Sequence, residues 1–210
     1  MTRVTHKTLQ HAVETLAERD ADLALIYAKH GPPPLWAREP GFPTLVHIIL
    51  EQQVSLASAK AAFNRLNAAI KLTPQNFLEL GDAELLTVGF SRQKTRYVRL
   101  LARSILDGFD VGELEKLDDA QVRARLTAHT GIGDWTADIY LLMALGRPDV
   151  WPVGDLALQV AYQKIKGLPE RPTGEAFEAV GKDWRPLRSV AARLLWHHYL
   201  QRGEERRGRS

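Results

Sequence analysis

Residues 126–145 read LTAHTGIGDWTADIYLLMAL, and how this stretch is read decides the fold. Val122 and Leu126 carry a helical apolar rhythm into Gly131-Ile132-Gly133. Ala137, Tyr140, Leu141 and Ala144 carry the same rhythm out again on one face. Two glycines between two helices cost backbone entropy, so they must supply something a side chain would block. One reading is a tight αα-corner closed by a glycine cap. The other is a backbone that lies flat against a second molecule. The second helix starts at Asp134 or at the turn backbone, and a helix start offers unpaired N–H groups and a partial positive charge to an anion. Ile132 can point back and pin the hairpin to the core.

Outward from this turn, the periodicity is helical throughout, and no segment alternates with period two. The pattern predicts helices over 7–29 (broken near Asp20), 42–53, 55–70, 74–80, 82–88, 91–107, 118–129, 134–146, 155–166, 173–183 and 186–202. Pro32, Pro33 and Pro34 cannot continue a helix and end the first section. Ser55 and Thr73 are suited to N-capping, and Gly108, Gly146 and Gly167 to stopping helices. The fold class is therefore all-α. The organisation expected is an N-terminal helical segment, 1–40, packed on a core of 41–202 with the hairpin at about 118–146. A flexible basic tail, 203–210, follows.

The 210 residues contain no cysteine, which excludes disulfides, thiolate zinc sites and cysteine-ligated iron–sulfur clusters. No apolar run approaches the roughly 20 residues of a membrane span, and the N-terminus lacks a signal-peptide pattern, so a cytoplasmic location is expected. Lys and Arg number 28 against 25 Asp and Glu, a net charge of +3 that is compatible with a polyanion without requiring one. Bases concentrate at Arg92, Lys94, Arg96, Arg99 and Arg103, and again at Arg202, Arg206, Arg207 and Arg209. Solvated helix faces would explain both groups equally well.

Two further segments offer chemistry. In WPVGDLALQVAYQKI (151–165), Asp155 follows a glycine and precedes an apolar-periodic helix, the position of an N-cap. A capping carboxylate in a loop mouth, desolvated by neighbours such as Trp151 and Pro152, can also stabilise a developing positive charge. Asp138, three residues after Trp135 on a helix that must pack, suits structural hydrogen bonds better. In ILEQQVSLA (49–57) the helix stops near Gln53 and Ser55 starts another, leaving two amides, Gln52 and Gln53, at the junction. The seven histidines show no metal-ligand spacing, and His197 and His198 are adjacent and cannot face one ion together. Phe42, Tyr140 and Trp196 read as core.

The hairpin also has the spacing of a known motif. A leucine, four residues, G-I-G, three residues and an alanine form the helix-hairpin-helix pattern, which binds the DNA backbone without reading sequence. ILEQQVSLASAKA (49–61), VGFSRQKTRYVRLLA (88–102), TGIGDWTADIYLL (130–142), VWPVGDLALQ (150–159) and DWRPLRSVAARLLW (183–196) follow in the order of one family. From about 42 to 200 the chain resembles the helix-hairpin-helix DNA glycosylase superfamily, and is most similar to the 3-methyladenine DNA glycosylase II type. His129-Thr130 stands where that family often has an apolar residue and proline, and Leu187 where some members carry an aromatic.

The resemblance implies two helical subdomains with the active site in the cleft between them. It implies hydrolysis of the N-glycosidic bond of alkylated purines in double-stranded DNA, after the damaged nucleotide is flipped out of the stack. Asp155 would be the catalytic carboxylate. Trp135 would take the place at which strand-cutting members carry a lysine, which implies a monofunctional enzyme. Trp135, Trp184 and Leu187 would border the base pocket. Gln53, with Gln52 beside it, would be the wedge that fills the vacated stack. Gly131, Gly133, Thr136 and Lys94 would hold the DNA backbone. No cofactor is required, although carbonyls of Thr127, His129 and Ile132 could hold Na+ or K+ in the hairpin. A monomer is expected, associated with the nucleoid if bacterial. Two alternatives stay open: a non-catalytic helix-hairpin-helix DNA-binding protein, and a bifunctional glycosylase/lyase.

Overall fold

The computed structural model describes residues 3–207, with side chains as far as 203. The described residues form helices and no strand: α1 (His6–Arg19), α2 (Ala21–His30), α3 (Phe42–Glu51), α4 (Leu56–Ala69), α5 (Pro74–Glu79), α6 (Asp82–Val88), α7 (Arg92–Leu106), α8 (Asp119–Thr127), α9 (Asp134–Ile139), α10 (Leu156–Ile165), α11 (Gly174–Val180) and α12 (Arg188–Arg207). Short 3-10 turns cover Gly112–Lys116 and Gly181–Trp184, and α9 continues as a π-helical turn over Tyr140–Ala144. None of the helices is long and apolar enough to cross a membrane.

Most boundaries follow from local caps. Thr5 closes a capping box at the start of α1, and Asp20 accepts from Asp22 N and Leu23 N to start α2. That cap is why the expected break near Asp20 occurs. Ser55 and Thr73 cap α4 and α5 as expected. Gly108, Gly146 and Gly167 take positive φ beyond helix ends. Such caps contribute about 1 kcal/mol each, whereas burying a large apolar side chain contributes about 1.5–3 kcal/mol. Short helices therefore depend on packing. The six residues of α5 illustrate this: Phe77, fully buried, meets the rings of Phe42 and Phe90.

The chain forms two compact units, one of Met1–Ala37 with Gly146–Ser210 and one of Arg38–Leu145. The first gathers α1 and α2 around α12, whose Val190, Ala191, Ala192, Leu194 and Leu195 are fully buried. Segment 1–37 thus belongs with the C-terminal helices, and the stretch expected as one core, 41–202, divides at Leu145. The second unit holds α3 to α9, with α3 packed on α4, α7 and α9. The expected tail from 203 is helical as far as Arg207; the remainder, with Arg209, lies outside the described residues.

Candidate active site

In the first unit, the carboxylate of Asp155 is 8% exposed and its Oδ1 accepts two donors: Leu158 N at 2.9 Å and Trp196 Nε1 at 3.1 Å. The first is the N-cap bond of α10, and the second arrives from α12. Asp155 is therefore a cap, as its local sequence dictates, and also an anion held in one orientation by an indole. Trp196 is buried as expected, but its polar edge serves the carboxylate. Trp151 does not: its Nε1 donates to the Phe177 carbonyl at 2.9 Å. The indole that donates to Asp155 is therefore that of Trp196.

The loop that presents Asp155 is fastened to the start of α12. Arg188 grips Asp149 bidentately (Nε–Oδ1 2.7 Å, Nη2–Oδ2 2.9 Å), Ser189 Oγ accepts from Val150 N at 2.9 Å, and Ser189 N donates to Pro148 O at 3.0 Å. Gln159 Nε2 donates to Val153 O at 2.8 Å from the other side. The sequence segments 150–159 and 183–196 are thus halves of one local structure.

Trp184 stands elsewhere than expected. It is 3% exposed, packs in a cluster with Trp151 and Tyr162, and donates Nε1 to Asp20 Oδ2 at 2.9 Å. Its faces are used for core packing, so it does not offer a wall to a base. Leu187 is partly exposed just before α12.

In the second unit, the hairpin joins α8 to α9. Gly131 has φ 91°, and a Cβ there would lie 2.1 Å from Cγ of Tyr97. The fold itself demands this glycine, for a left-handed turn laid on a tyrosine ring. Gly133 differs. It has φ −99°, caps α9 with no side chain, is exposed, and a Cβ would meet nothing within 4 Å. Nothing inside the protein requires Gly133 to lack a side chain. Trp135, on the first turn of α9, is partly exposed. Asp138 is buried and pairs with Arg123 Nε at 2.7 Å, the structural role expected of it.

Three residues expected at DNA have internal work instead. Gln52 Nε2 donates to the Gly131 carbonyl at 2.9 Å and to Thr136 Oγ1 at 3.0 Å, so Gln52 braces the hairpin rather than forming part of a wedge. Thr136 is 1% exposed, and its hydroxyl is enclosed with that amide. Lys94 Nζ donates to the carbonyls of Leu50 (2.7 Å) and Gln52 (2.8 Å), capping the C-terminus of α3, and burial lowers its pKa. Lysine suits orphan carbonyls at the negative end of a helix. Gln53, by contrast, is exposed with φ 56°, and Val54 and Leu56 beside it are 46% and 56% exposed. Arg92, Arg96 and Arg103 of α7 are exposed, whereas Arg99 is engaged with Asp82 and the Leu80 carbonyl.

At the hairpin carbonyls, α8 ends at Thr127, whose carbonyl the helix cannot itself use, and His129 O accepts from Ile132 N at 3.0 Å. His129 is half-buried, with its pKa lowered by burial and its ring 4.4 Å from that of Phe109. Neutral carbonyl oxygens suit a hard cation. No side-chain cluster that could hold a metal occurs among the described residues.

The helical fold, its glycine-turn hairpin between α8 and α9 and the aspartate-capped α10 were compared with known proteins. The HhH-GPD superfamily base excision DNA repair protein family matches residues 46–186, and the chain belongs to it. Among its relatives, DNA-3-methyladenine glycosylase 1 of Schizosaccharomyces pombe is 29% identical over 165 residues, covering 76% of this chain and 72% of that protein. The solved structure of the S. pombe 3-methyladenine DNA glycosylase Mag1 in complex with abasic DNA superposes with a TM-score of 0.83 at 26% identity, covering 89% of this chain and 95% of that one. That of a DNA-3-methyladenine glycosidase from Bacillus halodurans gives 0.73 at 32% identity, covering 92% and 91%.

Proposed function

We propose that this protein is a monofunctional DNA glycosylase that hydrolyses the N-glycosidic bond of alkylated purines, such as 3-methyladenine and 7-methylguanine, in double-stranded DNA. The observation that carries the reading is the buried Asp155 carboxylate, fixed through Oδ1 by Leu158 N and Trp196 Nε1. Departure of the base develops positive charge on the deoxyribose, as in glycoside hydrolysis. A fixed anion stabilises that charge and orients water, whose hydroxyl joins C1′ while its proton is released. A cationic alkylated purine takes the bonding pair and leaves neutral, so no strong general acid is needed.

Trp135 supports the monofunctional reading, since an indole cannot form a Schiff base with the sugar. The bare amides at Gly133 suit a phosphate of the DNA backbone. Gln53 suits the gap left by an extruded nucleotide, with Val54 and Leu56 as apolar flanks. Carbonyls of Thr127, His129 and Ile132 would hold Na+ or K+ and stiffen the turn; the chemistry itself needs no cofactor. We assign the protein to the cytoplasm, associated with the nucleoid if its source is bacterial, acting as a monomer. A panel of duplexes, each with one defined lesion, scored for released base, tests the reading: release of an alkylated purine is expected, and release of none would reject it.

A further inference from the structure

The turn of the hairpin rests on a ring. At Gly131 a Cβ would fall 2.1 Å from Cγ and 2.3 Å from Cδ2 of Tyr97, so this backbone lies against the phenol face. Both residues belong to the second unit. Packing of this kind asks only for an aromatic ring, and phenylalanine would supply it without a polar atom. Tyr97 carries a hydroxyl as well. The residue is partly exposed, and Gln93, exposed one turn earlier on α7, donates its Nε2 to Tyr97 Oη at 2.6 Å. A phenol oxygen that accepts from an amide keeps its own proton to give away. The amide also holds the hydroxyl in place, so less freedom is lost when a second partner arrives.

The surroundings of this hydroxyl suit an anion. Positions 92 and 96, 93 and 96, and 93 and 97 are surface neighbours on a helix, three or four residues apart. Arg92 and Arg96 are exposed there with their charges. Gly133, exposed and bare at the start of α9, lies in the same turn as Gly131. Resting on the glycosylase reading above, we infer that Tyr97 is a ligand of the DNA backbone: its ring seats the hairpin at Gly131, and its hydroxyl donates to a phosphate oxygen there. A charged acceptor makes the stronger kind of O–H···O bond. The hydroxyl is neutral, so it neutralises no phosphate and releases no counterion, unlike Arg92 and Arg96. It reads no base, and its contribution is the same on damaged and undamaged duplex.

The test compares Tyr97→Phe and Tyr97→Ala with the parent protein. Affinity for one undamaged duplex is measured over a series of salt concentrations, with melting temperature and hydrogen exchange over 129–133. Tyr97→Phe keeps the seat and removes only the hydroxyl. Its affinity should fall about threefold to tenfold, the worth of one net hydrogen bond. Melting temperature, hairpin exchange and the slope of log affinity against log salt should stay parental in that variant. Tyr97→Ala removes both parts, so affinity should fall further and exchange over 129–133 should accelerate. Parental affinity in Tyr97→Phe would overturn the inference. So would a loss in Tyr97→Phe that comes with a lower melting temperature, faster hairpin exchange or a flatter slope. Unchanged exchange in Tyr97→Ala would remove the ring as a seat. If the parent protein binds no duplex, the glycosylase reading itself fails, a result separate from any of these.

Discussion

Trp196 Nε1 and Asp155 Oδ1 lie 3.1 Å apart, joining α12 to the cap of α10 across 41 residues of sequence. A hydrogen bond to a charged acceptor contributes about 1.5–3 kcal/mol. Trp196→Phe keeps an aromatic in the core and removes this donor, while the Leu158 N cap bond stays. Single-turnover excision should fall about tenfold, the equivalent of some 1.4 kcal/mol in the barrier. Excision at the parental rate would show that the indole only fills space.

The two hairpin glycines should respond in opposite ways. Gly131→Ala forces a Cβ into the Tyr97 ring at positive φ, so stability should drop by about 2 kcal/mol or more. Gly133→Ala changes only a cap, costing about 1 kcal/mol or less, yet it crowds the amides offered to phosphate. Its affinity for undamaged duplex should fall while its melting temperature barely moves. Unchanged affinity in Gly133→Ala would remove the hairpin from the interface.

Lys94 and Gln52 tie the loop at 51–54 to α3 and the hairpin. Gln52→Ala leaves the Gly131 carbonyl and the Thr136 hydroxyl without that amide, a cost of about 1–3 kcal/mol. Hydrogen exchange over 51–55 should accelerate in Gln52→Ala and Lys94→Ala, and unchanged protection would contradict the bracing role.

Salt dependence separates the basic side chains of α7. Each phosphate neutralised adds about −0.9 to the slope of log affinity against log salt. Arg92→Ala and Arg96→Ala, both removing exposed charges, should flatten the slope by up to about one each. Lys94→Ala should lower stability more than slope, since its charge is turned onto carbonyls of α3. The reverse ranking would return Lys94 to the DNA surface.

These assignments mark how far the sequence could be read. Helix limits were legible because caps are local: Ser55, Thr73 and Asp155 each bond within three residues. The 3-10 turn at Gly112–Lys116 and the π turn at Tyr140–Ala144 were not, because neither has a periodicity long enough to register. As a cap, Asp155 was legible from the glycine before it and the apolar-periodic helix after it. Its Trp196 partner was missed, although Ser189 and Trp196 sit seven residues apart, one face of a helix. Gln52 was misread as a wedge because its partner, Gly131, lies 79 residues away. Tyr97 gave no signal at all, since its contact with Gly131 joins two separate helical segments.

The most direct measurement is single-turnover excision by Asp155→Asn, with melting temperature and duplex affinity on the same preparation. An asparagine oxygen can still accept from Leu158 N and Trp196 Nε1, and Asn caps helices as well as Asp, so stability should change by less than about 1 kcal/mol. The negative charge is lost, and excision should fall by about 10²-fold or more while affinity for lesion-containing duplex persists. Excision at the parental rate would contradict the role given to Asp155 and leave it a helix cap alone.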